Sequence, residues 1–233
     1  MLTRRHVCCG LPAAAAAPAL VQSSDAAARE PVAADATASL TPADVLAELK
    51  AGNQRFVDGD VRKCDPMNRI IATSEGQNPT ASVIGCIDSR VPHEQVFDQR
   101  IGEIFSARVA GNFVNVDMTG SLEFATAVAG AKLIVVLGHN NCGAVKGAID
   151  GVQLGNLTAT LTNIMPAVAE LDPDFSGSST DDVLVQDVAV ANVKLNVAKL
   201  LRDSEVIRGL VESGDVMVVG AMYDISTGVV TFM

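Results

Sequence analysis

Leu133-Ile134-Val135-Val136-Leu137-Gly138-His139-Asn140-Asn141-Cys142-Gly143 is the stretch on which the fold turns. Its first five residues are apolar and rich in β-branched side chains, too few for a helix, and stop at a glycine, so they read as a buried strand. Other short apolar runs share that character: Ala81 to Cys86, which follows Asn78-Pro79, and Ile104 to Ala110. Asp215 to Met222 and Gly228 to Met233 add a fourth and a fifth, joined by turn residues from Asp224 to Gly228. Between the runs lie helical patterns at Ser121 to Gly130, Cys142 to Asp150, Gly155 to Leu171, Asp181 to Arg202 and Ser204 to Ser213. Upstream, Thr41-Pro42-Ala43-Asp44 has the cap and first-turn proline of a helix whose apolar face is Val45, Leu46, Leu49 and Phe56. Strands alternating with helices predict an α/β fold with a mainly parallel central sheet of about five strands, the last hairpin giving an antiparallel edge, flanked by helices.

In such sheets ligands sit beyond the carboxyl ends of the strands. Two of those ends carry unusual chemistry. One strand exits into Cys86-Ile87-Asp88-Ser89-Arg90 and another into His139-Asn140-Asn141-Cys142. In extended chain, residues i and i+2 share a side, so Cys86 and Asp88 can face one site, and His139 and Cys142 can converge across the turn that opens a helix. Two thiols, an imidazole and a carboxylate match the ligand number and softness of tetrahedral zinc. Singly, each has a plainer reading: a buried cysteine is usually inert, His139 fits a core histidine, and Asp88 with Arg90 fits an ordinary ion pair. It is their joint placement at strand ends that points to a metal.

The 233-residue chain carries a formal charge of −10, which disfavours nucleic acid or an anionic membrane surface as a partner. Its hydrophobic fraction is 48% with no Trp and one Tyr, so the core must be aliphatic. Residues 1–28 read as an export signal: Arg4-Arg5 precede the small, apolar run Val7 to Val21, too short to span a bilayer comfortably, and a polar exit follows. The arginine pair suggests the twin-arginine route to the periplasm. Residues 29–40, rich in Ala, Asp, Pro and Thr, read as linker, leaving 41–233 as the folded domain. Loss of the signal would remove Cys8 and Cys9 and leave Cys64, Cys86 and Cys142, an odd number that argues against a disulfide framework.

Cys86-Ile-Asp-Ser-Arg90 followed by His139-Asn-Asn-Cys142-Gly143 resembles the β-class carbonic anhydrases. The resemblance extends through Asn53-Gln-Arg-Phe56, Gly102-Glu-Ile-Phe105, Arg108, Ala110-Gly-Asn112, Ser121-Leu-Glu-Phe124 and Tyr223-Asp-Ile225, with a departure at Val109. It implies one zinc per chain, held by Cys86, His139 and Cys142, with water or, in a closed form, Asp88 in the fourth position. It further implies reversible hydration of CO2 to bicarbonate and a proton by a zinc-activated hydroxide, oriented by the Asp88–Arg90 dyad. Gln77 matches the position that donates an amide hydrogen bond to bound substrate, and Phe105, Ala110 and Phe124 match residues lining the apolar CO2 pocket. A homodimer or a higher even oligomer is implied, with no membrane association in the mature form. His93 is expected on a solvent-exposed helix after Pro92, and Cys64 reduced near the surface.

The same site chemistry leaves room for CS2 or COS as substrate, or for a zinc module that Asp88 closes permanently. Arg90 and Gln77 argue against the closed form. One branch of the family binds a second bicarbonate beside a Trp, an Arg and a Tyr. Arg108 and Tyr223 match, but Val83 stands at the Trp position, so cooperative inhibition by bicarbonate is not expected.

Overall fold

A computed structural model describes residues 39–63 and 65–233. The predicted export signal, residues 29–38 of the predicted linker, and Cys8, Cys9 and Cys64 lie outside the described residues. Among the described residues no helix is long and apolar enough to cross a membrane.

The central strand is β3 (Leu133–His139), all seven residues of which are buried. Leu133, Val135 and Leu137 face one apolar layer while Ile134 and Val136 face another, as the two-residue repeat of a strand requires. A strand covered on both sides has no need of polar residues, which is why this run was legible. β1 (Ala81–Gly85) and β4 (Met217–Tyr223) pair with β3 in parallel, β2 (Ile104–Arg108) pairs in parallel with β1, and β5 (Val230–Phe232) runs antiparallel to β4. The order is β2-β1-β3-β4-β5, the expected parallel sheet with an antiparallel edge.

Helix α1 (Pro42–Asp58) begins at a complete capping box, in which Thr41 and Asp44 satisfy each other's backbone amides, and stops at Gly59 in the left-handed region. It covers one face of the sheet with Val45 and Leu49. Helix α2 (Pro66–Thr73) was not anticipated, although Asp65 caps it and Pro66 opens it. A single turn, α3 (His93–Val96), precedes β2. The predicted helix at Ser121 to Gly130 starts earlier, as α4 (Val116–Glu123) capped by Asn115, and continues as a π-helical turn over Phe124–Val128. After α5 (Gly143–Ile149), the predicted helix from Gly155 to Leu171 is two helices, α6 (Gly155–Thr162) and α7 (Met165–Leu171). Pro166 lacks the N–H that an uninterrupted helix would use and sits in the first turn of α7, where none is needed. Helices α8 (Asp182–Asp203) and α9 (Glu205–Glu212) complete the opposite layer, with Val193, Leu200 and Ile207 packed toward Ile84, Ile134 and Val136.

His93 corrects an expectation: it is fully buried, not exposed. Gly85 has no side chain, and a Cβ there would fall 2.0 Å from His93 Nε2, so the ring occupies the space that the glycine leaves on β1. Its Nδ1 is 2.8 Å from Ser106 Oγ. Burial, with a contribution from the charge of Arg108, lowers the His93 pKa to about 4, so the ring is neutral and unsuited to shuttling protons at neutral pH.

Candidate metal centre

The register of the sheet brings the two chemical motifs side by side. Gly85 on β1 is opposite Leu137 on β3, so Cys86, one residue past β1, lies near the Gly138-His139 end of β3. Cys142 follows the turn through Asn141, which takes a φ of 53°, and caps α5. The ligand atoms of Cys86, His139 and Cys142 all lie within 4.8 Å of one another, and all three residues are buried. Cys86 Sγ and Cys142 Sγ are 4.0 Å apart, close to the ~3.8 Å edge of a tetrahedron with zinc–sulfur bonds of ~2.3 Å.

The imidazole is oriented for a metal. His139 Nδ1 lies 2.8 Å from the carbonyl of Asn140, to which it donates. That leaves Nε2 as the lone-pair nitrogen, and Nε2 is buried with no hydrogen-bond partner. A ring with one nitrogen tied to a carbonyl and the other left free is the usual arrangement of a metal-binding histidine. Asn140 is itself held: its Nδ2 donates to Asp224 Oδ1 at 3.1 Å and its Oδ1 accepts from the Ile225 amide at 2.9 Å.

The two thiols are not equivalent. A hydrogen bond from Cys142 is the largest influence lowering the Cys86 pKa, to about 4, against the opposing effect of burial. His139 and the amides of Gly111 and Asp88 also favour the Cys86 thiolate. Donating to Cys86 pushes Cys142 up, so one proton is shared across the pair with Cys86 the more acidic member. A divalent cation would replace that proton, since thiolates bind metal and thiols do not.

Asp88 is not part of the three-residue cluster but stands beside it, fastened by Arg90. Arg90 Nε and Nη2 donate to its two carboxylate oxygens at 2.9 and 2.6 Å, and the Arg90 amide adds a third bond at 3.0 Å. This pairing, led by the Arg90 side chain, holds the Asp88 pKa well below the usual carboxylate range. The carboxylate is therefore ionised at neutral pH, and both oxygens are directed to Arg90. Arg108 fixes the same loop from β2: its Nε donates to the Cys86 carbonyl at 2.9 Å and its Nη2 to the Asp88 carbonyl at 2.5 Å. Sequence reasoning had placed Arg108 in the resemblance but assigned it no part in holding the loop.

The substrate residues are dispersed. Gln77 is exposed before the amino end of β1, whereas Cys86 follows its carboxyl end, and five strand residues span roughly 17 Å. Phe105 on β2 meets the ring of Phe124 edge to face, centroids 6.3 Å apart, and both line an 830 Å³ cavity with Val83, Ala107 and Val116. Phe124 is 52% exposed. Ala110, half-buried after β2, adjoins Gly111, whose amide donates to Cys86 Sγ at 3.4 Å.

Fold and site together define an α/β protein with a buried cluster of two thiols and an imidazole that could hold a metal: the chain belongs to the β-class carbonic anhydrases, and the carbonic anhydrase family profile matches residues 81–230. It is 35% identical over 184 residues to "Carbonic anhydrase 2" of Mycobacterium tuberculosis, covering 77% of this chain and 87% of that one. A carbonic anhydrase of Synechococcus elongatus is 30% identical over 165 residues, covering 66% and 60% of the two chains. Among solved structures, a tetrameric β-carbonic anhydrase of Sordaria macrospora superposes with a TM-score of 0.63 at 28% identity, over 69% of this chain and 83% of its own. A β-carbonic anhydrase of Aspergillus fumigatus gives 0.65 at 25% identity, over 82% and 89%.

Proposed function

We propose that Cys86, His139 and Cys142 hold one zinc ion and that the enzyme hydrates CO2 reversibly to bicarbonate and a proton, with Asp88 and Arg90 orienting the attack. The observation that carries this reading is the convergence of three buried ligand residues, Cys86, His139 and Cys142, with His139 Nε2 left without a hydrogen-bond partner. Three protein ligands leave one position open, as in catalytic zinc sites. A zinc ion held by Cys86, His139 and Cys142 would supply a water-derived nucleophile at neutral pH.

The chain's own residues do the rest. Asp88, kept ionised by Arg90, accepts a hydrogen bond from the nucleophile and so turns a lone pair toward the carbon of CO2. Arg90 also engages both carboxylate oxygens, which would keep Asp88 from ligating a metal. The His139 Nδ1–H bond to Asn140 fixes the ring's tautomer. Ile87, next to Cys86, is exposed, and an apolar side chain beside the site suits a neutral substrate.

Gln77, Phe105 and Phe124 reach a substrate only if a second chain presents them, so we take the catalytic unit to be a homodimer or a larger even oligomer. Exposed Val116, Phe124 and Val128 beside the unpaired edge of β2 support that assembly. Residues 1–28 would direct export to the periplasm by the twin-arginine route. Stopped-flow CO2 hydration, repeated after chelation and after zinc is restored, tests the reading. Activity lost on chelation and regained with zinc is expected, and CS2 or COS turnover without CO2 hydration would overturn the substrate assignment.

A further inference from the structure

Helix α8 carries two buried carboxamides on an otherwise aliphatic face. Asn192 is 1% exposed and Asn196 4%, among Val185, Val188, Ala189, Val193 and Leu200. Burying an amide costs free energy unless every donor and acceptor is paired, so such groups are retained where their bonds are needed. These two form a ladder. Asn196 Nδ2 donates to Asn192 Oδ1 at 3.0 Å and to its carbonyl at 2.7 Å. The free ends of the ladder both go to the loop after β2: Asn192 Nδ2 donates to the Gly111 carbonyl at 2.9 Å, and Asn196 Oδ1 accepts from the Val114 amide at 2.8 Å.

That loop delivers the Gly111 N–H to Cys86 Sγ. Gly111 sits at φ +84°, in the region that favours glycine, and a Cβ on it would lie 2.4 Å from Ile164 Cδ1, so no larger residue fits there. A glycine has no side chain to orient it, so the bonds to its carbonyl and to the Val114 amide set the direction of its N–H. We propose that Asn192 and Asn196 are positioning residues for the metal centre, aiming the Gly111 N–H at the Cys86 sulfur. An N–H bonded to a thiolate withdraws charge from it and fixes its lone-pair direction, and loss of an outer partner of this kind typically costs 10–100-fold in metal affinity. The inference rests on the proposed Cys86–His139–Cys142 metal site.

The test compares Asn192→Ala with Asn53→Ala. Asn53 is the control: it is buried, and its side chain bonds the Val96 and Gly228 carbonyls and the Val230 amide, none of them a group on a proposed metal ligand. Both variants are loaded with cobalt(II) and zinc, and thermal stability is measured alongside. Asn192→Ala should bind zinc at least tenfold more weakly against a competing chelator and shift the thiolate-to-cobalt charge-transfer band, while Asn53→Ala loses stability with the parent band and affinity. An Asn192→Ala protein with parent band and affinity overturns the proposal. A second measurement needs no variant: in the cadmium-113-loaded parent the Gly111 amide proton should show scalar coupling to the metal through Cys86 sulfur, and its absence also overturns the proposal. A parent that takes up no metal would instead sink the metal site itself, and this inference with it.

Discussion

The carboxyl ends of β1 and β3 and the apolar face beside β2, which we propose as two halves of one active site, are built in different ways. At the strand ends everything is internal: Cys86, His139 and Cys142 are buried, and their partners Asn140, Arg108 and Gly111 belong to the same chain. Beside β2 the residues assigned to substrate stand open, with Phe124 52% and Val116 81% exposed. A metal site needs ligands fixed to tenths of an ångström and is best made within one chain, while an apolar pocket needs only water-free walls, which another subunit can provide.

If the division holds, a change within the first half should alter chemistry without altering assembly. Arg90→Ala should retain zinc and lose roughly 100-fold in kcat/KM, because Asp88 is then free to turn toward the metal. Metal analysis and stopped-flow rates check both parts, and a parent rate would remove the dyad from the mechanism. Burial of His93 gives a second test. Its folded pKa of about 4 lies below the ordinary 6.5, so the neutral ring's contribution to stability is complete above pH ~6.5 and is lost as pH falls toward 4. Denaturant unfolding of the parent should therefore lose on the order of 2 kcal/mol more over that interval than His93→Gln. Equal losses would mean that the ring is charged in the native state.

Changes on the open face should do the reverse. Phe124→Glu should keep zinc, weaken self-association in sedimentation and lower activity roughly tenfold, since a charge there opposes burial against a second chain. An active variant with unaltered association would show that this face takes no part. The smallest expected effect is that of bicarbonate. Val83 offers no donor to an anion, and the Arg108 guanidinium is already engaged by the Cys86 and Asp88 carbonyls. Hydration should show ordinary product competition only, and steep, cooperative inhibition would contradict this.

Legibility in the sequence follows the same line. The doubly buried strand β3 and the ligand-bearing exits were readable because burial on both faces removes polar residues and metal chemistry restricts residue type. His93 was misplaced because local pattern does not record that Gly85 leaves room for a ring against β1. Helix α2 had its cap, Asp65-Pro66, in plain view but no buried face to give it an apolar pattern. Arg108, Gly111 and the Asn192–Asn196 ladder escaped because they act through backbone groups and long-range contacts, which leave no spacing in the chain.

Zinc content is the most direct test of the central claim that two strand ends of one chain make a three-ligand metal site. Purified parent and Cys142→Ala proteins, both confirmed folded by circular dichroism, would be dialysed and analysed for metal per chain. The account predicts one zinc per parent chain and nearly none in the variant, with CO2 hydration lost in parallel. Full zinc occupancy in folded Cys142→Ala would contradict it.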